Sequence, residues 1–256
     1  MLATANLNSF LNEAGDISRF TVRFFKQWVK PRYEISEFFR QCFIIGYKSL
    51  PLVGLTAFIM GLVLTMQLRP SMMDYGVESQ LPAIVGIAVV REIGPVITAL
   101  IFAGKIGSSI GAELGSMKVT EQIDAMEVSG TNPFKYLVVT RVLATTLMLP
   151  VLVMLGDAIS LYGSWLGVNI RGNTSFNLFW TQIYDNLSFS DVVPAFIKSY
   201  FFGFAVGIIG CYKGYNSSKG TEGVGRSANS AVVVSSVMIF VIDLLAVQVA
   251  DVLGIN

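Results

Sequence analysis

Apolar residues are concentrated in five long stretches, each long enough to cross a lipid bilayer as a helix. A bilayer core requires about 20 apolar residues per helix. We therefore predict an all-α integral membrane protein, in which a five-span bundle occupies residues 43–250 of a single domain, 1–256. The five predicted transmembrane helices are Phe43–Gln67, Leu81–Gly104, Val142–Val168, Val192–Tyr212 and Ala228–Ala250.

The first 31 residues have a different pattern, with apolar and charged residues on opposite faces of one helix. Pro31 is expected to end this helix. Because the segment precedes the first span, we expect it to lie flat at the cytoplasmic interface. A soluble helix that packs on a partner is the alternative. The apolar face consists of Leu7, Phe10, Leu11, Ala14, Ile17, Thr21, Phe24, Phe25 and Trp28, and the charged face of Glu13, Asp16, Arg19, Arg23 and Lys26.

The basic residues predict the orientation of the spans. With a cytoplasmic N-terminus, all but four of the 18 Lys and Arg residues fall on the inside. Arg69 and Arg171 lie outside, and Arg91 and Lys198 lie within the membrane. The excess of inside positive charge favours this orientation, and five spans then place the C-terminus outside.

Glycines recur at helical spacing on three of the spans. Small residues on one face let helix backbones approach closely in lipid. These stripes therefore indicate either ordinary packing or surfaces that slide between two conformations. They consist of Gly107, Gly111 and Gly115, of Gly163 and Gly167, and of Gly203, Gly207, Gly210 and Gly214.

A polar segment between spans two and three, residues 116–135, predicts a short cytoplasmic helix. Thr120 is a candidate N-cap, and Gly130 ends the helix. An exposed apolar edge beside acidic residues is suited to dock in the cleft of a soluble partner, as coupling helices of ABC permeases do. A solvated connector is the alternative. The edge consists of Ile123 and Met126, and the acids are Glu121, Asp124 and Glu127.

The composition supports a membrane protein and restricts its chemistry. Charged residues make up 14% of the chain, the mean hydropathy is +0.63, and histidine is absent. The lack of histidine excludes a histidine base and a histidine-zinc site. No G-x-x-x-x-G-K-[ST] motif is present, so any ATP and Mg²⁺ would be bound by another chain. We expect no catalytic residue, no metal and no cofactor in this chain, and no nucleic-acid partner.

Five ionisable residues fall inside the predicted spans: Arg91, Glu92, Asp157, Lys198 and Asp243. Such residues are costly in lipid and normally face a bundle interior or a wet cavity. At about 1.5 Å per residue, Lys198 and Asp243 lie at matching depth and can pair. The cluster indicates either an outward cavity for an amphiphile or ion pairs, Arg91–Glu92 and Lys198–Asp243, that fix the packing. Gly94-Pro95 is expected to loosen the helix beside Arg91 and Glu92.

The chain resembles the MlaE-type permeases of MCE-associated lipid ABC transporters over nearly its whole length. The resemblance is densest from Gln67 to Ala144. Thr140 and Lys105 depart from the pattern, in which many members have proline and arginine. The resemblance is carried by the runs Arg91-Glu92-Ile93-Gly94-Pro95-Val96, Ala103-Gly104-Lys105-Ile106-Gly107-Ser108, Ala112-Glu113-Leu114-Gly115 and Thr120 to Glu127, and by Asn132-Pro133, Tyr136-Leu137-Val138 and Arg141.

The resemblance implies a homodimeric permease in the inner membrane of a Gram-negative bacterium. Its implied partners are a cytoplasmic ATPase (MlaF-like), a STAS-domain protein (MlaB-like) on that ATPase and a periplasmic hexamer of MCE-domain proteins (MlaD-like). The complex is expected to move phospholipid between the inner membrane and periplasmic carriers, maintaining outer-membrane lipid asymmetry.

The resemblance also implies residue roles. The lipid pocket is expected at Arg91, Glu92, Lys198 and Asp243, with Leu64, Gln67, Met72 and Tyr75 at its wall and mouth. The coupling helix is expected at Glu121 to Glu127.

Two other functions remain open from the residues alone. An ion- or proton-coupled secondary transporter would use Glu92, Asp157 and Asp243 as a relay, although the inverted repeats typical of many such transporters are not evident. A lipid-modifying enzyme is disfavoured by the missing histidine.

Overall fold

The computed structural model describes residues 2–30, 34–170, 172, 174–252 and 254, with side chains from residue 12 onward. Pro31, Arg32 and Arg171 therefore lie outside the described residues. The side chains of Leu7, Phe10 and Leu11 lie outside them as well.

The described residues form helices and no strand, which confirms the all-α prediction. A short 3₁₀ turn at Tyr47–Ser49 connects two α-helices, and another at Glu78–Gln80 precedes the next one. The α-helices are α1 Leu2–Trp28, α2 Ile35–Gly46, α3 Leu50–Asp74, α4 Leu81–Ala88, α5 Gly94–Phe102, α6 Ser108–Val119, α7 Gln122–Val128, α8 Thr140–Asn169, α9 Phe176–Asn186, α10 Phe189–Tyr215 and α11 Thr221–Val252.

Five helical stretches are long and apolar enough to cross a membrane, as predicted. They extend beyond the predicted apolar cores because polar turns continue the same helices. Their bounds are Ile35–Asp74, Glu78–Val119, Phe134–Asn169, Phe189–Tyr215 and Thr221–Val252.

Among the described residues, three π-helical turns belong to these stretches: Val89–Ile93 and Ala103–Gly107 lie within the second, and Phe134–Val139 begins the third. In the first, the amide of Gly94 donates to the carbonyl of Val89, five residues earlier. Pro95 follows directly and has no amide hydrogen to continue a regular ladder. The backbone is thus irregular at the position that carries Arg91 and Glu92.

The chain divides into two compact units, and the first consists of Met1–Ile45, Ala103–Thr145 and Phe204–Ser236. In this unit α1 buries Phe20 and Phe24. The ring of Phe20 lies 5.0 Å from that of Phe134 and 5.6 Å from that of Tyr212. The amphipathic pattern of α1 is present, but Phe25 and Trp28 of the predicted apolar face are exposed.

The second unit consists of Gly46–Phe102, Thr146–Gly203 and Val237–Asn256. Its core includes residues of α4, α8 and α9. Helix α9 was not predicted, although its apolar residues have helical spacing and Ser175 caps it by accepting from the amide of Leu178. Ile183 of α9 packs where a side chain at Gly86 would stand. The core cluster contains Leu81, Val85, Val89, Val90, Leu161, Val168, Phe179 and Ile183.

Glycines of the three stripes lie at close helix contacts. A Cβ at Gly163 would overlap the backbone carbonyl of Phe58, and one at Gly207 would overlap the hydroxyl of Thr145. A Cβ at Gly214 would lie 2.7 Å from the Cβ of Leu114. The helices therefore approach as closely as small residues allow.

Candidate functional site

Lys198 is the centre of a charged cluster in the second unit. Its Nζ donates to Glu92 Oε2 at 2.5 Å and to Asp243 Oδ1 at 2.8 Å. The lysine side chain is only 4% exposed. One buried cation on α10 thus holds two carboxylates, one from the first π-helical turn and one from α11.

Arg91 contributes a second ion pair to the same cluster. Its Nη1 lies 3.5 Å from Asp191 Oδ1, in the first turn of α10. Asp191 was not predicted, because it precedes the apolar stretch from Val192. Its separation of seven residues from Lys198 places both on one face of a helix, and this spacing could have identified it.

The observed pairs differ from those expected. Lys198 pairs with Asp243 as the depths suggested, but Glu92 also binds Lys198, and Arg91 binds Asp191. The charged cluster is hereafter Arg91, Glu92, Asp191, Lys198 and Asp243. Its two cations and three carboxylates compensate each other in part, which lowers the cost of placing them in a membrane helix bundle.

A small cleft opens beside this cluster. Arg91 and Glu92 are 36% and 39% exposed, so they offer a cation and a carboxylate at its mouth. Its apolar lining comes from α10 and α11 and includes Pro194, Ala246 and Val247. The exposed cation and carboxylate at the mouth suit a zwitterionic or anionic head, whereas the cleft behind them, about 20 Å³, has room for little more than one water molecule.

Asp157 of α8 lies apart from these pairs. Its Oδ1 is buried, and among the described residues no hydrogen-bond partner reaches it. The same atom fills the space at Gly94, where a Cβ would overlap it. Asp157 therefore packs directly against the residue that ends the first π-helical turn.

The predicted wall residues divide into two groups. Leu64 and Met72 pack against the core cluster that includes Val89 and Val90. Gln67 on α3 and Tyr75 directly after it are exposed, Tyr75 by 81%, and neither is among the described residues that line the cleft. The structure thus brings together the four predicted charged residues, but it does not bring Gln67 or Tyr75 to them.

The predicted coupling helix is present as α7, with corrections to its start and its edge. Thr120 does not cap it, because its hydroxyl donates to the carbonyl of Ser116 in the preceding helix. Glu121 is the N-cap and has a φ of 59° without a side-chain cap bond. Ile123 is buried, so it is not part of an exposed edge, and the large apolar side chain that is exposed belongs to Val128.

One ion pair connects α7 to the preceding helix α6, and a second connects α6 to α8. Lys118 Nζ lies 2.9 Å from Asp124 Oδ1, and Arg141 Nη2 lies 2.8 Å from Glu113 Oε1. Met126 is half-buried, while Glu121, Asp124 and Glu127 are exposed. The exposed side of α7 is therefore acidic, whereas its Ile123 side chain is buried. Within the described residues, no group of three or more Cys, Asp or Glu is arranged to hold a metal ion.

Comparisons with known proteins agree with this architecture. The family model described as Permease MlaE matches residues 38–249. A probable ABC transporter permease protein of Rickettsia typhi is 38% identical over 239 residues, which are 93% of this chain and 92% of the relative. A probable ABC transporter permease protein of Pyropia yezoensis is 38% identical over 203 residues, 79% of this chain and 77% of the relative.

A further relative carries a more specific name. The intermembrane phospholipid transport system permease protein MlaE of Haemophilus influenzae is 34% identical over 206 residues, 80% of this chain and 78% of the relative. The family match contains both the charged cluster and α7. With five candidate spans and a match over most of its length, the chain belongs to the MlaE permease family.

Proposed function

We propose that the chain is the membrane-spanning permease subunit of an ABC transporter that moves phospholipids between the inner membrane and periplasmic MCE-protein carriers. By this activity it maintains outer-membrane lipid asymmetry. The name of the Haemophilus influenzae relative, a phospholipid transport permease, supports the substrate class. The chain itself is not expected to be an enzyme, since the ATP is hydrolysed by a partner.

The observation that carries the proposal is the charged cluster beside an apolar cleft. Arg91 and Glu92 are accessible, whereas Lys198 is buried between Glu92 and Asp243. A lipid phosphate is attracted to the Arg91 guanidinium, and the acyl chains need the apolar surface of α10 and α11. Lys198 then acts as a positioning residue that holds the Glu92 carboxylate at the mouth.

Arg91 has to exchange partners for this to occur. Its pair with Asp191 is 3.5 Å long, which is a loose ion pair. A phosphate offers the guanidinium shorter, charge-assisted hydrogen bonds. Exchange of Asp191 for phosphate is the binding step that we propose at this site.

We further propose that α7 receives the cytoplasmic ATPase (MlaF-like). Its acidic residues Glu121, Asp124 and Glu127 surround the exposed Val128, and buried Ile123 anchors the helix. Movement of a partner docked here would be transmitted through the ion pairs at Asp124 and Glu113. The remaining proposed partners are a second copy of the chain, a STAS-domain protein (MlaB-like) and an MCE-domain hexamer (MlaD-like).

The proposed setting is the inner membrane of a Gram-negative bacterium, with five spans, a cytoplasmic N-terminus and a periplasmic C-terminus. This orientation puts α7 on the side where ATP is available. It puts the cleft in the outer half of the membrane, toward the periplasmic carriers.

The experiment is ATP-dependent transfer of a labelled phospholipid from proteoliposomes that contain the permease with its partners. Arg91→Gln should lower the transfer rate, while its matched control Arg226→Gln should not. Arg226 belongs to an exposed pair with Glu222 far from the cluster in sequence. Equal transfer by both variants would contradict the role of the cleft.

A proton-coupled transporter is the second candidate, favoured by the buried, unsatisfied Oδ1 of Asp157. A carboxyl group in such surroundings is suited to take up a proton. If this function is right, a protonophore stops transport and removal of ATP does not. The opposite pair of results supports the ABC permease.

A further inference from the structure

Helix α1 carries a stripe of basic residues along one side. Arg19, Arg23 and Lys26 are spaced by four and three residues, which places them on one face of a helix. Lys30 follows just beyond the end of α1 and lines the same shallow groove. All four side chains are exposed. We call this set the basic face.

An apolar strip lies next to the basic face. Val22 is 52% exposed, and Phe25 and Val29 are also exposed. Val22 and Phe25 are three residues apart and therefore lie on one side of the helix, next to the basic residues. An apolar strip with a neighbouring row of cations is the pattern of helices that lie in a membrane interface.

The rotation of α1 about its axis is fixed by contacts on its opposite side. Phe20 and Phe24 are buried, and Glu13 forms an ion pair with Lys213. Gln27 accepts a hydrogen bond from Asn132 at 3.3 Å. The basic face and the apolar strip therefore both face away from the rest of the first unit.

Arg23 has a second role within this unit. Its guanidinium carbon lies 4.3 Å from the ring centre of Phe134, a cation–π contact. Arg19 pairs with Asp16 at 3.6 Å, and both side chains are exposed. Exposed ion pairs of this kind are weak, so a phosphate can replace Asp16 at little cost.

We propose that the basic face binds anionic phospholipid headgroups of the leaflet in which α1 lies, and that it selects them over zwitterionic ones. These bound lipids stay at the surface of the permease. They are distinct from the transported molecule in the cleft. The inference rests on the proposed function in one respect, the placement of α1 at the cytoplasmic interface.

Electrostatic attraction explains the selectivity. A basic residue near an anionic membrane surface increases binding about fivefold, whereas a zwitterionic headgroup has no net charge to attract it. The effect decays within about 10 Å at 0.1 M salt. Val22 and Phe25 would enter the acyl region and hold the cations at phosphate level.

Trp28 offers a reporter for this proposal. It lies on α1 beside Phe25, with ring centres 6.3 Å apart, and it is partly exposed. The chain has two other tryptophans, Trp165 and Trp180, so W165F/W180F leaves Trp28 as the only one. The full-length chain is placed in nanodiscs that contain equal fractions of phosphatidylglycerol and phosphatidylcholine, and either lipid carries bromine as the quencher.

We expect brominated phosphatidylglycerol to quench Trp28 about threefold more than brominated phosphatidylcholine, and we expect the ratio to fall as salt is raised. R19Q/K26Q/K30Q in the same background should bring the ratio to about 1. Arg23 is left unchanged because of its contact with Phe134. The control K219Q/R226Q, which removes exposed charges elsewhere in the chain, should retain the ratio.

Two results would overturn the proposal. One is equal quenching of Trp28 by both brominated lipids at low salt in the W165F/W180F protein whose basic face is unaltered. The other is quenching of Trp28 by aqueous acrylamide but by neither lipid, which would place α1 against water or a soluble partner. A failure of phospholipid transfer would count against the proposed function alone, because the quenching ratio does not require transport.

Discussion

Arg141 and Glu113 form an ion pair across the two ends of the segment that carries α7. Arg141 Nη2 lies 2.8 Å from Glu113 Oε1, and its Nη1 donates to the carbonyl of Leu137 at 3.0 Å. The arginine residue is only 1% exposed. Since Glu113 precedes α7 and Arg141 follows it, their pair closes the base of this segment.

Glu113→Gln should destabilise the protein by about 1.5–3 kcal/mol, because it removes a charged partner from a buried guanidinium. The measurement is the change in free energy of unfolding of the purified permease. In a double-mutant cycle with Arg141→Met, the double variant should lose less free energy of unfolding than the two single variants lose in sum. Additive losses would mean that the two side chains are not energetically coupled.

Lys198→Met should be strongly destabilising, because Glu92 and Asp243 then lose the cation that they share. Breaking a buried ion pair from one side costs about 3–5 kcal/mol. Removing one of the orphaned charges, in K198M/D243N, should recover part of the stability. If the double variant is no more stable than K198M, the pair with Asp243 contributes little.

Glu92→Lys should impair lipid transport, because it places a cation against Lys198 and beside Arg91. Growth of cells that carry only this variant should become sensitive to detergent. Glu92→Gln is the matched variant, which keeps the shape and a hydrogen-bond acceptor and should be milder. Detergent resistance equal to that of the unaltered protein in the lysine variant would argue against a role for Glu92.

Gly61→Ala should destabilise the contact between α3 and α8. A Cβ there would overlap the backbone carbonyl of Ser160, which cannot rotate away, so we expect a loss of about 1–3 kcal/mol. Gly104→Ala is the control, because nothing lies within 4 Å of its added Cβ. The two variants can be compared by thermal unfolding, and equal midpoints would refute the close approach.

Replacing Glu121 and Asp124 together by lysine should detach or uncouple the ATPase, because it reverses charge on the exposed surface of α7. Co-purification of the ATPase and lipid-stimulated ATP turnover are the measurements. Glu222→Lys is the control, since it reverses the charge of an exposed carboxylate outside α7 and should leave the complex and its ATP turnover unchanged. An intact complex with normal turnover in the lysine variant would exclude α7 as the docking helix.

The sequence predicted the features that depend on periodicity and depth. Five spans, the amphipathic pattern of α1 and the Lys198–Asp243 pair all followed from residue spacing. The second partner of Lys198 could not be obtained this way, because the π-helical turn rotates Glu92 away from its position on a regular helix. Asp191 was missed because it lies at the end of an apolar stretch.

The other errors have local causes. Thr120 has the residue type of an N-cap, but its hydroxyl bonds backward to Ser116 instead. Ile123 was expected to be exposed because its neighbours are charged, yet tertiary packing buries it. Helix α9 was missed because its 11 residues are too few to cross a bilayer and lie outside the five apolar stretches.

The π-helical turns have a consequence for how this protein can change over evolutionary time. A π-turn accommodates one residue more than the regular helix would hold, so it is the footprint of a single-residue insertion. Losing Val89 or Val90 would restore a regular helix and rotate the residues on one side of the deletion by about 100° relative to those on the other. A one-codon deletion could therefore turn Arg91 and Glu92 away from Lys198 and reshape the cleft, without altering any residue that lines it.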